Sequence, residues 1–273
     1  MPAIVIIPAR YSSSRFPGKP LCLLSDKPLI RHVYERAKSA KLVEEVFVAT
    51  DDRRIYDAVA GFGGNAIMTS GEHQSGTDRI AEAVLQLQSS ADIIVNVQGD
   101  EPMIEPEMVD DVIRLLLEDK NASIGTLARK LEAPEDINDP NVVKVVFSAD
   151  GNALYFSRAP IPYHRDSYES GVLSPELKDK EKLLYKSENS SLITHDLRRF
   201  YYKHIGIYAY RKDVLLKFSK LPQTKLEDIE KLEQLRALEN GFRIKVKETV
   251  FETIGVDTPA DLERVRKWLS LSL

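Results

Sequence analysis

Ile4 to Ile7 is an unbroken run of four β-branched residues. It is too short for a buried helix and suits a parallel strand covered on both faces, which points to a layered α/β arrangement. The strand is expected to stop at Pro8. Beyond it, Arg10, Arg15 and Lys19 are spaced through three serines, a proline and Gly18. In that arrangement cationic side chains and backbone N–H groups can surround one anion, and a polyphosphate is the natural candidate. The loop is not a Walker loop, because Ser13 rather than glycine stands five residues before Gly18 and Lys19 is followed by Pro20; nor is it G-x-G-x-x-G. A strand followed by a basic loop is elsewhere often only a solvated turn, so the remaining segments have to decide.

A chain of 273 residues can bury a full core, as one large α/β domain or as a main domain with a smaller appendage. The formal net charge of -4 argues against a general nucleic-acid coat, so the basic cluster near the N-terminus acts locally on a small anion. Cys22 is the only cysteine, which excludes an internal disulfide and a Cys-based zinc site; it is expected to be a structural thiol. There is no basic leader with a cleavage site, and no apolar run approaches the ~20 residues of a spanning helix. The expectation is a cytoplasmic protein with neither nucleic acid nor membrane as partner.

Strand and helix patterns alternate from the start, as in βαβ units with a mainly parallel sheet. Pro28 to Ala40 carries apolar residues at helical spacing with Asp26 as its expected cap, and His32 reads as a partly exposed helix residue. Glu45 to Thr50 is the next strand, Ile55 to Ala60 a helix, and Asn65 to Met68 a short strand. The polar loop 69–79, TSGEHQSGTDR, then opens a helix through Ile80, Ala83, Val84 and Leu87. Such a loop can offer N–H groups and hydroxyls to a base or ribose edge, or Ser75 or Thr77 can simply cap the helix.

Asp92 to Gln98 is the next strongly apolar strand, and it runs into Gly99, Asp100, Glu101 and Pro102. Ligands of open α/β sheets bind beyond the carboxyl ends of strands, so Asp100 is expected beside the loop that follows the first strand, with Gln98 facing the same crevice. A lone carboxylate there would repel a polyphosphate. The economical reading is that Asp100 holds Mg²⁺, which takes few carboxylates together with substrate phosphate oxygens.

A helix over Glu107 to Asp119 and a strand over Ile124 to Arg129 follow, then a polar connection, Glu132 to Asn141. From Val142 the pattern changes to successive strands, VVKVVF and ALYFSR around an Asp150-Gly151 turn, with KHIGIYAYR at 203–211 resuming strand character. The expected organisation is one domain, 1–273, in which 142–210 is a strand-rich subdomain forming a hairpin or second layer. The charged stretch 163–199 within it is either disordered or a functional flap, with a short helix starting at Ser174-Pro175. Ile229 to Glu239 reads as one helix with Leu232, Leu235 and Leu238 inward, and Ile244 to Val250 as a strand near an edge. A last helix carries Leu262, Val265 and Leu269 behind a Thr258–Asp261 cap. Asp257 either supports that helix start or is a second crevice carboxylate.

Taken together, IIPARYSSSRFPGKPL, VATDD, HQSGTDRIAE, VNVQGDEPMI, VVKVVF, ALYFSRAPIP, KHIGIYAYR, KLEQLRALENG and GVDTPADLERV resemble the 3-deoxy-manno-octulosonate (Kdo) cytidylyltransferases, nearly end to end and in that family's order. The resemblance implies a Rossmann-like nucleotidyltransferase sheet with helices on both faces and a strand-rich insert for sugar binding and dimerisation. The reaction it implies is Mg²⁺-dependent transfer of CMP from CTP to the anomeric hydroxyl of Kdo, with release of pyrophosphate, as a step of lipopolysaccharide biosynthesis, by a homodimer. Carried over by motif, Arg10, Arg15 and Lys19 are the triphosphate clamp, with Ser13 and Gln98 also on the nucleotide; Ser75, Gly76 and Arg79 are cytidine-side contacts. Asp100 and Asp257 are magnesium ligands, and Gln98, Arg158, His204, Tyr208, Glu233 and Gln234 are sugar contacts. Catalysis falls to Lys19, Arg10, Asp100 and Asp257. The sequence departs from the family's pattern at Asp78, where some relatives carry Glu, and in the longer segment 163–199.

Arg158 and His204 are placed to orient the sugar carboxylate, Arg being suited to a two-pronged bond. The chemistry expected is in-line displacement at the α-phosphorus, in which the protein positions reactants and neutralises developing charge. Other readings stay open at this point: the same transfer to an 8-amino Kdo analogue or a sialic acid, a non-catalytic CTP-binding module, and a purely structural use of the motifs.

Overall fold

The computed structural model describes residues 1–12, 16–133, 135–163 and 201–271. Ser13, Arg15, Leu269's side chain, the expected helix at Ser174-Pro175 and nearly all of the 163–199 stretch lie outside the described residues. The N-terminal half alternates strands and helices as expected: β1 (Ala3–Ala9), β2 (Leu23–Leu24), β3 (Lys27–Pro28), α1 (Leu29–Lys38), β4 (Glu45–Thr50), α2 (Arg53–Gly61), β5 (Asn65–Met68), α3 (Gly76–Leu87), β6 (Ile93–Asn96), α4 (Pro106–Glu118) and β7 (Ile124–Lys130). There follow α5 (Glu135–Asn138), β8 (Lys144–Phe147), β9 (Ala153–Ser157), β10 (Tyr202–Arg211), α6 (Lys212–Phe218), α7 (Lys225–Glu230), α8 (Gln234–Glu239), β11 (Ile244–Glu248) and α9 (Pro259–Leu271).

Among the described residues one sheet of nine strands runs in the order β11-β7-β10-β6-β1-β4-β5, with the β8–β9 hairpin attached to β10. β1 pairs in parallel with β4 and β6, β4 with β5, and β7 with β11. β10 is antiparallel to both of its neighbours, β6 and β7. β10 therefore lies inside the main sheet, third of seven in that order, although all of it but Arg211 falls within the expected strand-rich subdomain, and the β8–β9 hairpin extends that sheet rather than forming a second layer.

The four-residue apolar run is explained by burial on two sides. Ala3, Val5 and Ile7 enter one core with Val33, Ile55, Val109, Leu262 and Val265, whereas Ile4 and Ile6 enter the other with Ile80, Val84, Leu215 and Leu235. α1, α2, α4 and α9 thus cover one face of the sheet and α3, α6 and α8 the other.

Three local expectations are corrected. β1 does not stop at Pro8 but continues to Ala9, with Pro8 opposite Ala49 of β4. Its pairing to β6 has already ended at Ile6–Asn96, so a residue without an N–H sits where only one neighbour remains. Asp26 does not cap α1: it is exposed in the tight β2–β3 turn, where Ser25 takes φ 57°, and Pro28 stands at the cap position. The single helix expected over Ile229 to Glu239 is two, α7 and α8, because Lys231 takes the left-handed φ of 53° and ends the first. Leu232 and Leu235 are buried as expected, and Leu238 is half-buried against the same core. The Thr258–Asp261 cap of α9 forms as read, with Asp261 Oδ2 accepting from the Thr258 N–H at 2.9 Å.

Candidate active site

The carboxyl ends of β1 and β6 lie side by side, and the loops leaving them enclose a cavity of about 310 Å³. Close approach is built into the sequence at Gly99, where a Cβ would stand 2.9 Å from the Pro8 carbonyl oxygen, a distance that forces the backbone apart. Gly18, at φ 72°, turns the β1 loop back over the Tyr11 ring and starts the single helical turn Lys19–Leu21. That turn aims Lys19 into the cavity, whose walls include Arg10, Lys19, Ser75, Gly76, Arg79, Gln98, Asp100 and Asp257.

The Lys19 ammonium donates to Asp100 Oδ2 at 2.7 Å and to Asp257 Oδ1 at 3.2 Å. Two carboxylates 157 residues apart in sequence, one after β6 and one before α9, therefore converge on a single cation. Their approach is fixed by main chain, since the Val256 N–H donates to the Asp100 carbonyl at 2.9 Å. This donor set fits Mg²⁺: the ligands are hard oxygens, and they already share one positive charge. Among the described residues no group of three or more His, Cys, Asp or Glu side chains is placed to hold a metal.

Ser75 is the N-cap of α3, its hydroxyl accepting from the Asp78 N–H at 3.1 Å, so the open helix end and Gly76 face the cavity. Arg79 also lines the cavity, yet its guanidinium is buried and donates to Thr69 Oγ1 at 2.6 Å and pairs with Asp51 at 3.4 Å. Here it ties the 69–75 loop to the end of β4. Arg15 and Ser13 lie outside the described residues.

The expected sugar contacts are not all brought together. Gln98 lines the nucleotide-side cavity. Glu233, at the start of α8, borders a second cleft of about 590 Å³ that shares Gln74 and Ser75 with the first. It accepts from Thr77 Oγ1 at 2.5 Å, and burial raises its carboxyl above the usual range. Gln234 is buried beside it in sequence. Arg158 lies away from the cavity, donating through Nε to the Glu230 carbonyl at 2.7 Å and through Nη1 to that of Pro140 at 2.8 Å.

His204 and Tyr208 sit on β10, where their rings meet at 5.3 Å and the imidazole packs edge-on to Phe156 at 5.0 Å. Thr126 Oγ1 has one proton and two carbonyls to give it to, Ile207 at 2.8 Å and Ile205 at 3.2 Å, so in its contact 3.0 Å from His204 Nε2 the imidazole is the donor. Burial pushes the His204 pKa down to about 3. It acts as a neutral ring, with Nδ1 as an acceptor, and not as a cationic partner of a carboxylate.

Between the unfolded value near 6.5 and the folded value near 3, the unfolded chain binds the extra proton, so this residue makes stability rise with pH. Its contribution is full above about pH 6.5 and is lost as pH falls toward the folded value. Urea unfolding is expected to show His204→Gln, which retains a donor toward Thr126, losing less stability than the parent on going from pH 7 to pH 4, by up to about 3 kcal/mol. Parallel pH profiles for the two proteins would contradict this.

Three residues at the site carried no signal strong enough to single out in the sequence. His73 lines the cavity and hydrogen-bonds Glu82, which also accepts from the Ser70 N–H at 2.9 Å. Thr77 anchors Glu233. Glu101 follows Asp100 directly but points inward; burial and the adjacent Asp100 charge push its carboxyl up to about 7. A period-two reading of the DE pair shows that one side chain turns away, not which one meets solvent.

Comparison with known proteins agrees with this geometry. A family model described as cytidylyltransferase matches residues 4–248. The 3-deoxy-manno-octulosonate cytidylyltransferase of Thermodesulfovibrio yellowstonii is 52% identical over 277 residues, covering 99% of both chains. That of Geobacter metallireducens is 51% identical, covering 99% of this chain and 98% of its own. Among solved structures, CMP:2-keto-3-deoxy-manno-octonic acid synthetase complexed with CTP superimposes with a TM-score of 0.84 at 43% identity, with both chains fully covered. A 4-diphosphocytidyl-2C-methyl-D-erythritol synthase from Anaerococcus prevotii shares the fold alone, at TM-score 0.58 and 13% identity. With this degree of identity along its whole length, the chain belongs to the 3-deoxy-manno-octulosonate cytidylyltransferase family of the cytidylyltransferases.

Proposed function

We propose that the protein transfers CMP from CTP to the anomeric hydroxyl of Kdo, releasing pyrophosphate, with Mg²⁺ as cofactor. The observation that carries this reading is the meeting of Lys19 with both Asp100 and Asp257 in one cavity that Arg10 also lines. Arg10 and Lys19 hold the anionic triphosphate oxygens, and the α3 N-terminus at Ser75 and Gly76 faces the nucleoside end. Asp100 and Asp257 would hold Mg²⁺, which when bound withdraws charge from phosphoryl oxygens and lowers the pKa of a coordinated hydroxyl. The sugar hydroxyl oxygen gives its proton to solvent and forms its bond to the α-phosphorus as the bond to the bridging oxygen breaks, and the electron pair of that bond leaves on pyrophosphate. The side chains contribute by alignment and by compensating charge, with no covalent enzyme intermediate.

Gln98 and Glu233 approach the acceptor from the two adjoining clefts; Arg158 lines neither, and its Nε, Nη1 and Nη2 each give one N–H to a main-chain carbonyl, of Glu230, Pro140 and Lys231, so its role is to meet the sugar carboxylate with the two N–H groups left. Among the described residues no helix is long and apolar enough to cross a membrane, and the reading places the enzyme in the cytoplasm. A homodimer is part of the same proposal. β9 pairs along its length only with β8 among the described residues, and exposed Leu154 on it offers an apolar contact; sedimentation of the purified chain tests this.

The functional test is pyrophosphate release with CTP and Mg²⁺ across Kdo, its 8-amino analogue and a sialic acid. Fastest turnover with Kdo is expected. Binding of CTP without release in the presence of any of the three sugars would overturn the assignment.

A further inference from the structure

Lys144 is buried at 0% exposure, and its ammonium donates three hydrogen bonds to main-chain carbonyls: Asp139 at 2.8 Å, Val142 at 2.6 Å and Arg158 at 2.7 Å. Each of its three N–H groups has an acceptor, and no carboxylate is among them. Those carbonyls belong to two separate segments, the 139–142 connection and the end of β9 at Arg158. The Arg158 side chain closes the loop from the other side, since its Nη1 donates to the Pro140 carbonyl at 2.8 Å and its Nε to the Glu230 carbonyl at 2.7 Å. The Arg158 N–H in turn donates to Glu230 Oε2 at 2.9 Å, and Ser157 Oγ to Glu230 Oε1 at 2.6 Å.

An apolar residue would fill the same space on a strand without the cost of burying a charge. A buried lysine here does what no apolar residue could: it holds three carbonyl dipoles in one place, as a bound cation would. Nothing in the CTP cavity touches this cluster.

We propose that Lys144 is a positioning residue for the acidic sugar: it fixes the main chain at Arg158 and at 139–142 so that the Arg158 guanidinium keeps one orientation. The inference rests on the reading in which Arg158 meets the sugar carboxylate.

The test compares three variants of the full chain by steady-state pyrophosphate release, with Kdo and CTP varied separately. Lys144→Gln keeps two donors and removes the charge; it is expected to raise KM for Kdo by between about tenfold and a hundredfold while KM for CTP stays within about twofold. Lys144→Ala opens a space lined by the three carbonyls. Its Kdo KM is expected to be at least partly restored by n-propylammonium and not by n-propanol, a distinction that loss of packing alone does not produce. Arg158→Ala separates the two ideas. If it raises the Kdo KM but Lys144→Gln does not, or if Lys144→Gln moves both KM values together, the inference about Lys144 is wrong and the Arg158 reading stands. If Arg158→Ala leaves the Kdo KM unchanged, both fall. Should Lys144→Ala not fold, the Lys144→Gln and Arg158→Ala comparison decides alone.

Discussion

Asp100→Asn is expected to lower turnover by about a hundredfold or more, corresponding to roughly 3 kcal/mol of transition-state stabilisation. The substitution preserves shape and removes one charge. Asp100 is partly open to the cavity, and its main-chain tie to Val256 does not involve the side chain, so the fold should persist. What is lost is half of the carboxylate pair that converges on Lys19, and with it, on the proposed reading, the affinity for a divalent cation. Pyrophosphate release at saturating CTP and Kdo measures the effect, and raising Mg²⁺ should recover part of it. Activity within about twofold of the parent would remove Asp100 from the machinery.

The largest expected effect on stability is at Arg236. Its guanidinium makes a two-pronged bond to Glu227, Nε to Oε2 at 2.9 Å and Nη2 to Oε1 at 2.6 Å, with both side chains at or below 10% exposure. It also lies over the Phe218 ring at 4.9 Å and donates to the Leu221 carbonyl. Arg236→Met leaves Glu227 buried and uncompensated, and a cost of about 3–5 kcal/mol is expected, which lowers the melting midpoint on the order of 10 °C. Replacing both partners with apolar residues should be milder than replacing Arg236 alone, because no charge is then stranded. A single-variant loss below about 1 kcal/mol would contradict the account. The pair has functional weight as well, since it joins α7 to α8, and α8 begins next to Glu233.

The sequence made the N-terminal half legible because local and tertiary preferences agree there. The Ile4–Ile7 run is apolar on both faces since both faces are covered, and the loops after β1 and β6 carry their charges at the strand ends where an open sheet binds ligands. The place of Asp100 beside the loop after β1 followed from that rule; Asp257 also read as support for a helix start, and only the family resemblance set it beside Asp100, while the pairing of both with Lys19 had no signal in the sequence. The helix 229–239 misled because its apolar spacing is helical throughout, and the break is a backbone choice at Lys231 that no side-chain pattern announces. β10 misled differently. Its alternation is that of a strand in any position, and pairing partners far away in sequence decide that it lies between β6 and β7. Lys144 was invisible for a related reason: a lysine amid valines on a strand looks solvent-facing, and the three carbonyls that justify its burial come from segments whose juxtaposition only the fold creates.

The central claim is that fixed cationic groups and a divalent ion held on two aspartates bring an anionic nucleotide and an anionic sugar into one cavity. A crystal structure of the chain with CTP and Mg²⁺ tests it most directly. The account predicts triphosphate oxygens within hydrogen-bonding reach of Arg10 and Lys19, and the metal ion bound to both Asp100 and Asp257. A nucleotide seated elsewhere, or a metal ion that touches neither aspartate, would contradict it.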